Sequence, residues 1–497
     1  MRRWERTLDT DHTVRASPWL PPSRVGRRPW RATRVRVSTL ADDLLSVSSF
    51  RSPGIAKMKN ARRVQLPVVQ TDGGEEVVHD YHPAYVVWEL TLRCDQPCTH
   101  CGSRAGDARP AELSTVEALR VVEELAALRA KEVVLTGGEA YLHPGFLEVI
   151  AALAAAGIEP VTTTGGRGID AALANAMAKA GLTRASVSID GLEATHDLMR
   201  AARGSFASAT AALRHLAAAG IVIAANTNVN RLNENDLEPL YEHLRSIGIR
   251  SWQVQLTTPL GRAADRPDMV LQPWDLLGIV PRIAALKARA RHDGILLMPG
   301  NNLGYFGPEE AALRSLRDGD ADHWRGCQAG RYVMGIESDG AVKGCPSLQT
   351  ASYVGGRLVD VADAPRRLLR EIWETAPELA FTRERAKDDP GTGLWGYCAE
   401  CAFGEVCLGG CTFTAHAFFG RPGNNPYCHY RARVMRARGV RERLVLQSPA
   451  PGTPFDHARF DIVEEPFGAS DERPPRPVDL VKLRRKPAHH GRPSAAR

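Results

Sequence analysis

From Tyr85 onward, two hydrophobic periods alternate along the chain. Short apolar runs bounded by turn residues fall near 85–91, 132–136, 158–164, 184–189, 221–227 and 250–256. Runs of this length, rich in Val, Ile and Thr, predict strands. Between them, apolar positions recur at helical spacing near 115–129, 144–156, 169–180, 205–219 and 236–247. Ser114-Thr115-Val116-Glu117 is a capping box that opens the first of these helices. Val116, Leu119, Val122 and Leu125 then supply its expected apolar stripe. Repeated strand–helix units predict an α/β fold with a parallel sheet and right-handed crossovers over 85–256. In complete barrels of this kind, binding residues gather at the C-terminal ends of the strands.

The two ends of the chain read differently. Residues 1–57 lack sustained periodicity and are rich in Arg, Pro and Ser, so disorder is expected there. They contain no compact apolar stretch of the kind a secretory signal needs. Met58-Lys59-Asn60 reads as an alternative translation start. An Arg-rich targeting segment is the competing reading, disfavoured by the acids it contains. Residues 58–84 form a short lead-in, 257–326 a bridge, 327–445 a cysteine-rich domain and 446–497 a tail expected to be largely disordered. That tail carries Pro474, Pro475, Pro477 and Pro487.

The 497 residues suffice for two domains with cores of their own. No apolar run approaches the roughly 18 residues that span a bilayer, so no membrane partner and a cytoplasmic location are expected. The formal charge of +7 sits in the ends. Residues 1–57 hold 12 Lys and Arg against 5 acids, and 471–497 hold 8 against 3. The body between them carries 44 against 49, which leaves no nucleic-acid footprint.

The candidate chemistry begins directly after the first strand. Cys94, Cys98 and Cys101 are spaced C-x3-C-x2-C. Four-iron clusters are normally held by four thiolates, and a tight trio leaves one iron open to a small molecule. A structural zinc site is the alternative, but such sites are closed by four ligands, usually as two separated pairs. Further on, the run 133–139 reads as a strand ending in Gly137-Gly138-Glu139. The two glycines permit close backbone approach, and the carboxylate can accept hydrogen bonds from an ammonium group. Val161 to Gly165 and Ala185 to Gly191, the latter followed by His196, Asp197 and Arg200, are two further polar-tipped strands.

In this order the elements resemble the radical S-adenosylmethionine (SAM) enzymes. The resemblance implies a partial (β/α)6 barrel and a [4Fe-4S] cluster on Cys94, Cys98 and Cys101 whose open iron chelates SAM. It implies that Gly137, Gly138 and Glu139 bind the SAM amino group, with Thr164 ending the third strand. His100 stands where the family often has an aromatic residue beside the adenine. Ser188 is implied at the ribose and Arg200 on the carboxylate side.

The seven remaining cysteines are Cys327, Cys345, Cys398, Cys401, Cys407, Cys411 and Cys428. Cys345 closes Gly340-x4-Cys345 after an Asp339-Gly340 turn, which predicts a short hairpin. The next four read C-x2-C-x5-C-x3-C. Zinc-ribbon and disulfide readings are alternatives, the latter disfavoured in a reducing compartment. The array resembles the SPASM extension of radical SAM enzymes, a small cysteine-rich domain with a short β-hairpin and helices. That resemblance implies two auxiliary clusters, one on Cys398, Cys401, Cys407 and Cys428, the other on Cys327, Cys345 and Cys411. No further cysteine stands just upstream of Cys327, so the latter cluster has an open iron or borrows a ligand such as His323. Members that oxidise a sulfatase residue have an aspartate where this chain has Pro346, which weakens a sulfatase-maturing reading. Residues 58–84 are too few for the winged-helix peptide-recognition domain of some relatives.

The resemblance implies reductive cleavage of SAM to a 5′-deoxyadenosyl radical and modification of a ribosomally made precursor peptide or a protein. A flavodoxin, ferredoxin or dedicated reductase would donate the electron. The competing expectations are a radical SAM oxidoreductase acting on a small molecule or enzyme side chain, and a non-catalytic iron–sulfur electron carrier. No residue presents itself as catalytic acid or base.

Overall fold

The computed structural model describes residues 81–316, 320–348, 353–360, 365–383 and 393–471. The expectations for 1–57, for most of the lead-in and for 472–497 lie outside the described residues. Ten strands form the main sheet: β1 Tyr85–Thr91, β2 Glu132–Gly137, β3 Glu159–Thr164, β4 Arg184–Ser188, β5 Val222–Val229, β6 Ser251–Leu256, β7 Leu296–Pro299, β8 Val333–Ile336, β9 Ala341–Lys343 and β10 Val354–Arg357. Their order is β10-β9-β8-β1-β2-β3-β4-β5-β6-β7. From β8 through β7 every neighbouring pair is parallel. The connecting helices are α1 Thr115–Ala127, α2 Phe146–Ala155, α3 Ala171–Ala180, α4 Glu193–Arg200, α5 Ser205–Ala218, α6 Leu237–Ile247 and α7 Leu276–His292.

The six strands and five helices read from periodicity are all present, with ends shifted by no more than about two residues, as helix and strand ends usually are. The bridge adds a further unit, α7 and β7, which the sequence hid. β7 is only four residues long, and Pro281 interrupts the helical pattern of α7.

The capping box forms as read. Ser114 Oγ accepts from Glu117 N, and Glu117 Oε2 accepts from Ser114 N at 2.8 Å. The stripe of α1 is corrected. Val116 is 60% exposed, and the buried face is Ala118, Val121, Val122 and Leu125. Strict three-residue steps drift around a helix of 3.6 residues per turn, whereas steps of three and four stay on one face.

β5 and β6 show how the sheet shapes the interior. Ile223, Ala225, Thr227 and Val229 on β5, with Trp252, Val254 and Leu256 on β6, are buried. The alternate positions are half-buried, and four of them, Asn226, Asn228, Gln253 and Gln255, line a central cavity.

The cysteine-rich region joins this same sheet. β8 and β9 form the hairpin expected at Asp339-Gly340, with Gly340 at φ 79° and its N–H donating to the Glu337 carbonyl. β8 then lies parallel beside β1, pairing Val333 with Tyr85. Phe418, Tyr427 and Phe460 share one apolar core with Val86 and Trp88. Tyr427 Oη donates to the Leu271 carbonyl at 3.0 Å, and Leu444 N donates to Gln272 Oε1 at 2.7 Å.

The tail expectation is corrected for residues 446–471. β11 Val440–Ser448 crosses that boundary and pairs antiparallel with β12 Arg459–Pro466. Buried Leu444 and Phe460 tie this hairpin to the core, so its Pro- and Gly-containing connector is a structured turn.

Candidate active site

The loop after β1 carries Cys94, Cys98 and Cys101, and backbone contacts hold it at several points. Cys94 N donates to the Gly106 carbonyl at 2.8 Å, and Thr99 N to the Met199 carbonyl at 2.8 Å. Arg262 clasps the loop with Nε on the Cys98 carbonyl at 2.7 Å and its backbone N–H on the Cys101 carbonyl at 2.9 Å. All three cysteines are free and line the central cavity. Burial pushes the Cys94 thiol up to about 12, and it raises Cys98 against the opposing pull of Arg200. Buried thiols of this kind become thiolates when a metal takes the charge. The all-sulfur donor set suits an iron–sulfur cluster.

At the end of β2 the two glycines are steric necessities. A Cβ on Gly138 would stand 2.0 Å from the Arg93 carbonyl oxygen, and one on Gly137 2.0 Å from that of Thr91. Glu139 N donates to the Arg93 carbonyl at 2.8 Å, which fixes the carboxylate next to the cysteine loop. Glu139 is buried, and burial pushes its carboxyl up to about 7 despite two donors. These are Thr164 Oγ1 on Oε2 and Gly165 N on Oε1, both at 2.6 Å. The third strand therefore orients the second strand's acid.

Asp190 organises the next corner. It is fully buried and receives Arg200 Nη2 at 2.6 Å, His100 Nε2 at 3.2 Å and the Asn228 backbone N–H at 2.9 Å. Burial alone would raise its carboxyl, but the Arg200 guanidinium and His100 hold it well below the usual carboxylate range. Arg200 Nη1 also lies 3.6 Å from Cys98 Sγ. His100 Nδ1 is buried and has no hydrogen-bond partner among the described residues. Ser188 ends β4 on the cavity wall.

The cavity holds about 430 Å³. Besides the residues above, its walls include Glu89, Asn226, Asn228, Gln253, Gln255, Glu337, Lys343 and Phe455. Lys343 is buried, with Nζ 2.8 Å from Glu337 Oε1. Phe455, from the β11–β12 connector, lies over that ammonium, with Nζ 4.8 Å from the ring centroid. The connector is bound to the cysteine loop by Phe455 N on the Gly102 carbonyl at 3.1 Å and by Arg104 Nε on Asp456 Oδ1 at 2.8 Å.

The other cysteines fall into two sets. Cys398, Cys401, Cys407 and Cys428 line a second, smaller pocket with Phe306, Phe403 and Tyr430. Burial first, then Cys327 and Cys345, push the Cys411 thiol up to about 12. Pro346, Ser347 and Phe413, which follow Cys345 and Cys411, line the central cavity. His323 is exposed and packs on Phe306 with ring centroids 6.0 Å apart. Phe306 belongs to the four-cysteine pocket, so the ring of His323 rests against a wall of the other set.

Residues 88–244 match the radical SAM superfamily. That stretch runs from β1 into α6 and includes the cysteine loop. The chain is 26% identical to the AdoMet-dependent heme synthase of Nitratidesulfovibrio vulgaris over 73% of this chain and 98% of that protein. To mycofactocin maturase MftC of Mycobacterium ulcerans it is 28% identical over 76% of this chain and 94% of that one. Its fold is similar to that of Streptococcus suis SuiB. With S-adenosylmethionine bound, SuiB aligns at TM-score 0.54 and 15% identity, covering 70% of this chain and 78% of SuiB. With the precursor peptide SuiA bound, the values are 0.52, 14%, 70% and 76%. No helix among the described residues is long and apolar enough to cross a membrane.

Within the matched stretch, the trio, Gly137, Gly138, Glu139, Thr164, Ser188, His100 and Arg200 all border one cavity. Sequence reasoning missed Asp190 as the partner of both His100 and Arg200. Its place directly after the polar-tipped fourth strand was the available signal. It also missed the side chains of β5 and β6, which carry no spacing motif, and Phe455, which it placed in the tail.

Proposed function

We propose that this radical SAM/SPASM enzyme is a peptide maturase that cleaves SAM reductively and modifies a peptide or protein by cross-linking or oxidation. The observation that carries the reading is the electrostatics of the cavity. Arg200 and Lys343 are the only Lys and Arg side chains among the described residues lining it. Each is already paired, with Asp190 and with Glu337. A tetrapyrrole, as named for the heme synthase relatives, brings several carboxylates that need cationic partners. A neutral peptide segment needs none.

Cys94, Cys98 and Cys101 would hold the cluster that chelates SAM. When bound, cluster and SAM together supply a 5′-deoxyadenosyl radical able to take a hydrogen atom from an unactivated C–H bond. Glu139, oriented by Thr164 and Gly165, would receive the SAM ammonium through charge-assisted hydrogen bonds beside Gly137 and Gly138. Asp190 fixes the guanidinium of Arg200 and the ring of His100, which would meet the carboxylate side and the adenine. Ser188 would reach the ribose. Phe413 and Phe455 narrow the cavity and keep water from a reactive intermediate. The four-cysteine set and the three-cysteine set would each hold an auxiliary cluster, with a flavodoxin, ferredoxin or reductase as electron donor.

The test incubates cluster-reconstituted protein anaerobically with SAM, dithionite and peptides encoded by short reading frames beside its gene. The expected result is 5′-deoxyadenosine together with a peptide of lower hydrogen content by mass spectrometry. Unchanged peptides alongside consumption of an iron porphyrin would establish the small-molecule reading instead.

A further inference from the structure

We infer that the inner faces of β5 and β6 form a reader of amide groups that holds the substrate backbone in the cavity. The inference rests on the peptide reading above and adds the residues that would do the holding. In the parallel pairing of these strands, Asn226 stands opposite Gln253 and Asn228 opposite Gln255. All four side chains line the cavity. In complete (β/α)8 barrels the interior is usually filled by branched apolar residues. Four carboxamides in a two-by-two block therefore require a reason.

Their hydrogen bonding supplies one. Gln255 Nε2 donates to Asn228 Oδ1 at 2.8 Å. That single bond leaves Asn228 Nδ2, a donor, and Gln255 Oε1, an acceptor, without a partner among the described residues. Exchanging O and N on both groups reverses the bond and still leaves one donor and one acceptor. The side chains of Asn226 and Gln253 make no hydrogen bond among the described residues. By contrast, nearby Asn302 has both ends of its amide on Leu256, with Nδ2 on the carbonyl at 2.7 Å and Oδ1 taking the N–H at 3.1 Å. It serves the structure and the block does not.

A wall of unspent, uncharged donors and acceptors is complementary to a ligand that presents both at short repeat. A peptide backbone does so, with one N–H and one C=O per residue. The block carries no charge, so it gives no advantage to a carboxylate. A site built to hydrogen-bond its substrate also rejects ligands lacking those groups, because its own polar atoms are then left unpaired.

The test uses the full, cluster-reconstituted chain with SAM and no reductant. The probe is a synthetic random decapeptide library, and retained peptide is quantified by mass spectrometry. Gln253→Met and Gln255→Met, singly and together, keep side-chain length while removing the amide. Iron content and SAM affinity report integrity. The double variant is expected to retain peptide at least about tenfold less well, the scale of one or two lost buried hydrogen bonds, with SAM affinity held within about twofold. Should the double variant lose iron, Asn226→Ala makes the same comparison with a smaller change. Equal retention by wild type and variants overturns the amide reader and leaves the peptide function standing. A fall in SAM affinity with peptide retention unchanged assigns the block to the cofactor and overturns the inference. A wild type that retains no peptide overturns the proposed function, and this inference with it.

Discussion

The two walls of the cavity are built on opposite principles. On the β1–β4 side the charged groups are already engaged. Glu139 is held by Thr164 and Gly165, Asp190 by Arg200 and His100, and the cysteine loop by Arg262. On the β5–β6 side the polar groups are neutral and largely unspent. A prepaid wall loses little on binding a ligand of fixed shape, since its side chains are ordered beforehand. An unspent wall can adjust its pairing to a ligand whose side chains vary. The contrast fits a site that takes the same cofactor every turnover and a longer, flexible substrate beside it.

The hardest way to break the comparison is to remove the prepaid wall's anchor. Replacing Cys94, Cys98 and Cys101 together by Ala is expected to remove about four irons per chain and all SAM cleavage. The spectroscopic signals of the auxiliary sets should persist, because none of their cysteines lines the central cavity. Iron analysis and EPR after reconstitution check this. Loss of every cluster signal at once would mean the regions fold as one cooperative metal-dependent unit.

Asp190→Asn comes next. It leaves the Arg200 guanidinium buried without its carboxylate and frees His100. Removing one partner of a buried pair typically costs about 3–5 kcal/mol. Denaturant unfolding of wild type and variant measures it. A loss well under about 1 kcal/mol would show that charge pairing does not pre-build this wall.

Glu139→Ala sharpens the comparison further. It deletes the acceptor expected to meet the SAM ammonium, at about 1.5–3 kcal/mol for charge-assisted bonds, or roughly ten- to a hundredfold in affinity. The buried carboxyl is costly when empty, so the apo variant should be no less stable than wild type. An unchanged SAM dissociation constant in a folded variant removes Glu139 from the cofactor site.

The difference between the walls also explains what the sequence could reveal. The cofactor wall is assembled from local runs whose spacing is fixed by backbone geometry. Gly137 and Gly138 cannot bear a Cβ against β1, and Cys94, Cys98 and Cys101 share one loop. Such constraints leave a short linear signature. Asn226, Asn228, Gln253 and Gln255 become neighbours only through sheet register, and polar residues alternating with apolar ones look like an ordinary half-solvated strand. Asp190 was visible, but its role depends on α4 returning Arg200 to it. Phe455 and Asp456 were lost because a Pro- and Gly-bearing turn reads as a tail until β12 is seen to pair with β11.

The smallest effect is expected at the seam between the walls. Ser188 ends β4 and pairs in register with Asn226 of β5, so it is the last residue of one wall facing the first of the other. Its hydroxyl has no hydrogen-bond partner among the described residues, unlike those of Thr164 and Thr227, which are both engaged. If the cofactor wall extends through β4, Ser188→Ala should weaken SAM binding by one neutral hydrogen bond, about 0.5–1.5 kcal/mol or roughly two- to tenfold. Peptide retention should stay unchanged. Titration of SAM by calorimetry, beside the peptide-retention assay, separates the two. Loss of peptide retention with SAM affinity intact would move the seam one strand earlier and add Ser188 to the amide-reading block.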